Sequence, residues 1–404
     1  MAQNRKRRKS AKRTRSTSRG TPTRASRHKQ AAATDKEVEQ LRAVTQTNPT
    51  SVDAWCALAE ALGGRGEFSE AGTAYERAID CAPRTASAHS DYGRLLMTIG
   101  DNHGAEARLR KAIDIDPACL AAFTDLSWVL RRLGRTEEAV AAGRTAMRGS
   151  TDPNTLYYLA FALLANDEPQ EALSVCNLML QVDPCDARAL ALKVTALDGV
   201  GQRDAGRELA SFEHLIGVVE ISTPPGFDSL ADFNRALVEQ VLRFPGRPGD
   251  DTQTVDLFAD PDPASAALGA QIDEIISEYL SALPAHGSHP FLANKPKRWT
   301  LDGWGTRLLQ TPAHEHHFHQ HGWVSGVYYA RLPSFVGTES AGVSGCLEFC
   351  RFQQYGERDV QSELMVLPPK EGMMVIFPSY FYHRVCPFED ARHRVSIAFN
   401  AALN

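Results

Sequence analysis

The sequence lacks several features that would place it in a membrane or outside the cell. No apolar run approaches the ~18 residues that a membrane-spanning helix needs. No apolar segment follows the basic amino-terminal residues, so a secretory signal is not expected. The eight cysteines are scattered without a CxxC pair, which favours a reducing compartment over a disulfide framework. We therefore expect a cytoplasmic protein without a membrane partner.

Acidic residues are missing from the first part of the chain. Residues 1–30 hold twelve Lys or Arg and no Asp or Glu, whereas the remaining residues hold 32 basic and 49 acidic ones. This segment also has few apolar residues, so it cannot bury enough surface to fold alone. We predict a disordered basic tail over residues 1–34, and the alternative is contact with a polyanion such as RNA or the ribosome. Aromatic residues are absent from the segment, which argues against base stacking.

Prolines recur with a spacing of 34 residues in the first half of the chain, at Pro49, Pro83 and Pro117. Large and small apolar residues recur in phase between them. In the first unit these positions are Trp55, Leu58, Ala59, Leu62, Ala71, Tyr75 and Ala78. Apolar residues at i, i+3 and i+7 form one helix face, small residues let a second helix approach, and the proline ends that second helix. The pattern predicts an α-solenoid of helix pairs.

These repeats resemble the tetratricopeptide repeat family over residues 35–215, and residues 36–47 are predicted to form a lone capping helix. Arrays of this family bind proteins or peptides on a concave face. The resemblance therefore implies a protein or peptide partner. The alternative is that the repeats only support the second domain or a dimer.

The second half of the chain has a different pattern. The repeat phase is lost after about residue 216, where proline and glycine become frequent. Two helices are predicted near Leu230–Arg243 and Ala264–Ser281, and the short apolar runs that follow predict about seven strands. We therefore expect an α + β multidomain chain whose second domain, residues 216–404, is a barrel or jelly roll with flanking helices.

The segment "HEHHFHQHGW" places five of the 13 histidines within eight residues. His317 and His319 are two residues apart, so on a strand both side chains would lie on one face. His383 lies on a later predicted strand, and Arg394 and Ser396 share one face of the last strand. A barrel brings such strands together. Two histidines and one carboxylate, with open positions, are typical of non-haem Fe(II) sites, and a buried arginine beside a hydroxyl suits the binding of a carboxylate.

Four runs in this half resemble the 2-oxoglutarate/Fe(II) oxygenases. They are "HFHQHGWVSGVYYARLP", "GCLEFCRF", "EGMMVIFPSYFYHR" and "HRVSIAFN". The similarity covers residues 217–404 and is to bacterial members with upstream tetratricopeptide repeats and to the prolyl-hydroxylase branch. It implies a double-stranded β-helix (jelly roll), Fe(II) as cofactor, 2-oxoglutarate as cosubstrate, and hydroxylation of a protein or peptide recruited by the repeats. The alternatives are an inactive oxygenase fold that acts as an interaction module, and an oxygenase that acts on a small metabolite.

The resemblance also implies roles for individual residues. His317 would be the first iron ligand and His383 the last. Arg394 would pair with the distal carboxylate of 2-oxoglutarate. Ser396 and Tyr329 would add hydrogen bonds to that carboxylate.

The sequence departs from the usual motif at the second ligand, because His319 stands where the family has Asp or Glu. Either His319 itself is a ligand, which the spacing favours, or Glu348 reaches the metal, or water or substrate completes the ligand set. His314, His316 and His321 are expected to be loop or supporting residues. A structural zinc site and a cupin are rival interpretations, although structural zinc prefers four ligands that usually include cysteine.

Overall fold

The structure is a computed structural model. It describes residues 33–244, 256–285, 287–311, 316–355 and 360–403. The basic tail predicted for residues 1–34 lies outside the described residues apart from Ala33 and Thr34, and so does His314. Within the described ranges, no helix is both long and apolar enough to cross a membrane.

The amino-terminal half is an array of antiparallel helix pairs, as predicted. Its helices are α1 (Asp35–Thr47), α2 (Val52–Gly64), α3 (Phe68–Cys81), α4 (Ala86–Ile99), α5 (Asn102–Ile115), α6 (Leu120–Arg132), α7 (Thr136–Met147), α8 (Pro153–Ala165), α9 (Pro169–Val182), α10 (Ala187–Gly199), α11 (Arg203–Leu209) and α12 (Phe212–Leu215). Helix α1 is the predicted capping helix. It begins with a capping box in which Thr34 and Glu37 satisfy each other's backbone N–H groups.

The recurring proline and small residues of the repeats determine where these helices end and how closely they pack. Helices α3 and α5 end just before Pro83 and Pro117, since proline cannot continue a helix. The small residues are completely buried where paired helices meet. At Gly93 a Cβ atom would lie 2.8 Å from Cγ of Leu109, so only glycine lets α4 approach α5 this closely. The 34-residue period therefore encodes the packing of one helix on the next.

The carboxyl-terminal half is built from antiparallel strands with three further helices. The helices are α13 (Leu230–Arg243), α14 (Pro263–Ala282) and α15 (Pro290–Ala293). The strands are β1 (Gly217–Glu220), β2 (Trp299–Thr311), β3 (Val324–Arg331), β4 (Leu347–Cys350), β5 (Leu364–Leu367), β6 (Met373–Pro378), β7 (Tyr382–Val385) and β8 (Phe388–Leu403). One sheet has the order β1-β6-β3-β8-β2 and the other β5-β4-β7. This architecture is the predicted jelly roll with flanking helices.

The histidine segment lies between the strands. His317 and His319 do not lie on a strand. The segment is extended, and His317 forms an isolated antiparallel bridge to His383. The backbone hydrogen bonds of that bridge run in both directions, at 3.0 and 2.8 Å. The segment follows the edge of β7 too briefly to form a ladder.

The last repeat helices pack directly on the smaller sheet. Phe212 of α12 is buried with its ring 6.0 Å from that of Phe349 and 5.6 Å from that of Phe381. The backbone carbonyl of Leu209 accepts hydrogen bonds from the Tyr380 hydroxyl and from the imidazole of the buried His289. The two halves of the chain therefore share buried apolar surface.

An arginine cluster around Glu363 reinforces this junction. The Glu363 carboxylate accepts hydrogen bonds from Arg203 and Arg207 of α11 and from Arg351, which follows β4. Arg351 is buried, and its guanidinium stacks 4.3 Å from the ring of Phe212. Burial alone would raise the pKa of Glu363, but the hydrogen bonds from the three arginines outweigh that effect and lower the pKa to about 2.

Candidate metal centre

Three histidines from two separate segments meet at one point of the jelly roll. The ring nitrogens of His317, His319 and His383 that could bind a metal lie within 4.8 Å of one another. The ring centroids are 4.5 Å apart for His317 and His383 and 5.0 Å apart for His319 and His383. Among the described residues, this is the group of histidine, cysteine and acidic side chains that could hold a metal ion.

Backbone hydrogen bonds fix the histidine segment in place. Besides the bridge between His317 and His383, the His319 N–H donates to the carbonyl of Ser379 over 2.9 Å. Four residues later, the Trp323 N–H donates to the carbonyl of Ala401 on β8. The segment therefore runs from the start of β7 to the end of β8. This path directs the imidazoles of His317 and His319 toward that of His383.

The orientation of His383 leaves one ring nitrogen available to a metal. Its Nδ1 lies 3.0 Å from the backbone carbonyl oxygen of Phe381. A carbonyl only accepts, so Nδ1 carries the proton and Nε2 keeps its lone pair. The ring is buried beside the rings of Phe349 and Phe377, at centroid distances of 6.1 and 4.7 Å. These apolar neighbours keep water away from the nitrogen.

His319 is held by a chain of polar groups that ends in a carboxylate. Its Nδ1 lies 2.6 Å from Oδ1 of Asn400, and Asn400 Nδ2 donates to Asp302 over 3.2 Å. Ser325 Oγ also donates to Asn400 Oδ1, so this oxygen is an acceptor for both neighbours. His319 Nδ1 is therefore the protonated nitrogen, and Nε2 is the one directed to the metal.

The surroundings of these rings favour neutral imidazole. Burial, with a smaller effect of His317, lowers the pKa of His319 to about 4, although the bond to Asn400 acts in the opposite direction. Burial also places the pKa of His383 well below its ordinary value. A histidine binds a metal in its neutral form, so both rings are ready to bind at neutral pH.

Glu348, the alternative third ligand, is engaged elsewhere. It is buried, and its Oε1 accepts hydrogen bonds from Nε2 of His316 over 2.9 Å and from Nε of Arg384 over 2.7 Å. His316 therefore contacts Glu348 and lies outside the three-histidine group. His321 is exposed and lies outside the three-histidine group.

Replacing Asn400 with leucine should weaken metal binding by about 10–100-fold, because His319 loses the acceptor that fixes its tautomer and ring orientation. Titration of Co(II) into the metal-free chain measures the change. Asn234→Leu is the matched control, since Asn234 is an equally buried amide that bonds to Tyr328 instead. Equal affinities of the Asn400→Leu and natural chains would contradict this role.

The second predicted cluster also comes together. Arg394 is 2% exposed, and its guanidinium donates to Ser396 Oγ over 3.0 Å and lies 5.1 Å from the ring of Tyr329. The buried Tyr329 hydroxyl and Arg394 Nε have no hydrogen-bond partner within the described part of the chain. Burial raises the pKa of Tyr329 to about 12, an effect that the Arg394 charge partly offsets. These groups form a buried cationic pocket with unused donors.

The β3–β8 register places this pocket and the histidines on the same face of the sheet. Tyr329 pairs with Ser396, and Ser325 pairs with Asn400. Residues two apart on a strand point to one face, so Ser396, Ala398 and Asn400 form one row. The small side chain of Ala398 separates the cationic pocket from the amide that holds His319.

Several contributing residues carry no motif in the sequence. Asn400 lies in the ordinary run "FNAAL", and its partner Asp302 is 98 residues away in the chain. The strand register that pairs Asp302 with Asn400 makes them neighbours. Neither residue stands out in the sequence, because β2 and β8 both carry several other polar and charged residues.

Comparison with known proteins finds matches to family models in both halves of the chain. Residues 302–400 match the family described as "Putative 2OG-Fe(II) oxygenase". Residues 52–85 and 90–154 match families described as "Tetratricopeptide repeat". Human "Tetratricopeptide repeat protein 34" is 29% identical over 159 residues, which are 39% of this chain. The chain spans only 25% of the length of that relative.

Several solved structures are similar to part of the chain. YrrB, "a TPR protein with an unusual peptide-binding site", is 19% identical with a TM-score of 0.37, covering 41% of this chain and 87% of its own. PilF of Pseudomonas aeruginosa is 24% identical with a TM-score of 0.39, covering 44% and 85%. The chain thus combines amino-terminal tetratricopeptide repeats with a carboxyl-terminal domain that matches the 2OG-Fe(II) oxygenase family over residues 302–400.

Proposed function

We propose that the chain is a 2-oxoglutarate- and Fe(II)-dependent dioxygenase that hydroxylates a protein or peptide substrate recruited by its repeats. One observation carries the proposal. Three imidazoles converge on one point, and a buried guanidinium with unused donors lies on the same sheet face. The first arrangement suits a divalent metal, and the second suits the distal carboxylate of a bidentate acid.

The donor set fits Fe(II) better than a structural zinc ion. Imidazole is a competent ligand for ferrous iron, and three protein ligands leave positions for a cosubstrate. Cys346, Cys350 and Cys386 are buried in this domain, but none belongs to the three-histidine group. We propose His317, His319 and His383 as the iron ligands, with His319 in the place of the usual carboxylate.

The Arg394 pocket fits 2-oxoglutarate because a buried cation is costly without an anion. We propose that Arg394 would bind the distal carboxylate of this cosubstrate, with Ser396 and Tyr329 as further donors. Fe(II) and 2-oxoglutarate, when bound, supply the oxidising chemistry that converts a C–H bond to C–OH. The chain itself holds the two groups, orients His383 and His319, and excludes water.

The repeat array supports a macromolecular substrate. Helices α1, α2, α4, α6 and α8 line a groove of about 1280 Å³. The same helices α6 and α8 reach the histidine segment, where a second cavity begins. A polypeptide bound in the groove would therefore lead toward the proposed iron site, in keeping with the peptide-recognition role of many helical repeats.

Anaerobic titration of Fe(II) and 2-oxoglutarate into the chain tests the proposal. We expect the visible charge-transfer band of a bound Fe(II)–2-oxoglutarate pair. The band should be lost in His317→Ala and His319→Ala, because each removes one of three protein ligands. His321→Ala is the control, since His321 is close in sequence but outside the three-histidine group.

Other outcomes point to other interpretations. A band that survives in His319→Ala would favour Glu348 or a two-ligand site. The absence of any band in the natural chain would contradict the proposed reaction and favour an interaction module. If the band is present but added peptides do not change it, a small metabolite is the better candidate for the substrate.

A further inference from the structure

Three neighbouring residues form a half-exposed row across the larger sheet. Val327 of β3 and Trp304 of β2 both pair with Ala398 of β8, which lies between them. These three side chains are half-buried, whereas the other residues in 324–330 of β3 and in 394–402 of β8 are buried. An open space therefore lies over Val327, Ala398 and Trp304, which we call the middle row.

The middle row lies between the two groups of the proposed site. In one direction along the strands, the next row contains Tyr329 and Ser396 beside the Arg394 guanidinium. In the other direction, the next row contains Asn400, which bonds to His319. Successive rows on one face of a sheet are about 7 Å apart. A small ligand that joins Arg394 to the histidines must therefore cross the middle row.

The two glycines beside Trp304 direct its side chain to this face of the sheet. A Cβ atom at Gly303 would lie 2.4 Å from the ring of Phe258, and one at Gly305 would lie 2.4 Å from Cγ2 of Val241 in α13. Glycine at both positions thus lets these groups pack closely on the back of β2. Because side chains alternate along a strand, Trp304 lies on the front face, with the histidines.

The indole of Trp304 forms one side of the open space. It projects from β2, the last strand in the order of the sheet, and its ring centroid lies 5.6 Å from that of His319. Val327 lies on the other side, and the small side chain of Ala398 forms the floor. Trp304 is the largest of the three side chains, so its indole limits the width of the space above Ala398.

We propose that the carbon chain of the 2-oxo acid lies on the middle row and that Trp304 sets the length of the acid that the site accepts. This inference rests on the proposed function, because it assigns the specificity of the same site. The Ala398 methyl group leaves room for the methylene groups of the acid, and the Val327 and Trp304 side chains would contact them from either side. A longer acid would have to bend toward Trp304, since Arg394 and the histidines fix its two ends. Trp304 is therefore a specificity-determining residue.

Calorimetric titration of the Co(II)-loaded, full-length chain with 2-oxoglutarate and with 2-oxoadipate, which is longer by one methylene group, tests the inference. We expect the natural chain to bind 2-oxoglutarate about tenfold or more tightly, the discrimination that one methylene group gives in a closely fitting pocket. In Trp304→Ala the ratio of the two affinities should fall to about threefold or less, because the indole no longer limits the space. Trp299→Ala is the matched control, since Trp299 is a half-buried tryptophan of the same strand on the opposite face, where its indole bonds to Asp273.

A second variant keeps the test decisive if the alanine variant does not fold. Trp304→Phe retains an aromatic ring of smaller size, so it should give a ratio between those of the natural chain and Trp304→Ala. The Co(II) affinity of both variants should stay within about threefold of the natural value, because Asn400 rather than the indole fixes the tautomer of His319.

Several results would overturn the inference. They are equal binding of the two acids by the natural chain, an unchanged ratio in the Trp304 variants, and the same change of ratio in Trp299→Ala. A large loss of Co(II) affinity in the Trp304 variants, with both acids weakened equally, would instead make Trp304 a support for His319. Binding of neither acid by the natural chain would contradict the proposed function itself, and the inference would fall with it.

Discussion

A chain in which methionine replaces Arg394 is expected to lose 2-oxoglutarate binding and, in the absence of that ligand, to be more stable than the natural chain. The affinity should fall by about 100-fold or more, since removing one partner of a buried charged hydrogen bond costs about 2–5 kcal/mol. The stability of the ligand-free chain should rise by about 1–2 kcal/mol. Both effects have the same physical origin.

That origin is the burial of a cation without a compensating anion. Arg394 is 2% exposed, and burial lowers the pKa of its guanidinium. Its guanidinium contacts two neutral groups, the Ser396 hydroxyl and the Tyr329 ring. Desolvation of a charge is repaid only when a well-placed counter-charge is present, and a hydrophobic replacement of similar volume is often stabilising. Under the proposed function, the distal carboxylate of the cosubstrate would offset this cost in stability.

Isothermal titration with 2-oxoglutarate and denaturant unfolding with and without it measure the two effects. The natural chain should gain stability when 2-oxoglutarate is added, and Arg394→Met should gain none. Arg331→Met is the control, because Arg331 is a part-buried arginine of the same sheet that bonds to the carbonyl of His393. A ligand-free Arg394→Met chain that is much less stable than the natural one would instead indicate a structural role for Arg394.

The sequence alone predicted the local structure well because periodicity encodes burial. The 34-residue repeat gave the helix pairs, and the apolar patterns gave α13 with its observed bounds Leu230–Arg243 and α14 within a residue of the predicted ones. The spacing of His317, His383 and Arg394 predicted two clusters, which the structure brings together. In each case the spacing of the residues along the chain indicates which side chains lie on the same face of a helix or strand.

The sequence did not predict contacts between segments that are far apart in the chain. Such contacts depend on which segment packs against which. Asn400 bonds to Asp302 only because β2 and β8 pair in one register. Arg131 of α6 and the histidine segment line the same cavity only because α6 and α8 face that segment. The path of His317 and His319 beside β7 was not predicted, because the spacing of two histidines does not reveal which segment they pair with. All three features depend on how distant segments of the chain pack against one another.

The same docking predicts that the jelly roll cannot be separated from the repeats at residue 216. We expect a fragment of residues 216–404 to be less stable than a fragment of residues 201–404 by on the order of 5 kcal/mol. The 15 additional residues carry Phe212 and the arginines of α11. Without them the buried rings of Phe349 and Phe381 become exposed and Glu363 loses two of its three arginine partners.

Denaturant unfolding of the two fragments at pH 7 measures the difference, and the full-length chain is the reference. Phe212→Ala in the longer fragment separates the apolar contribution from the ionic one. It leaves Arg203 and Arg207 in place and should remove about 3–5 kcal/mol, with a further loss if Arg351 no longer stacks on the ring. Equal stabilities of the two fragments would show that residues 216–404 fold independently of the repeats.

The ionic contribution should depend on pH in one direction. Arginine partners depress the pKa of Glu363 from the ordinary 4.5 to about 2 in the folded chain. A group with a depressed folded pKa stabilises the fold fully above its unfolded pKa, and that contribution is lost as pH falls through the folded pKa. The stability difference between the fragments should therefore be constant near pH 7 and shrink between pH 4.5 and 2. A difference that does not change over that interval would assign the junction to apolar packing alone, and Phe212 would then account for the dependence of the jelly roll on the repeats.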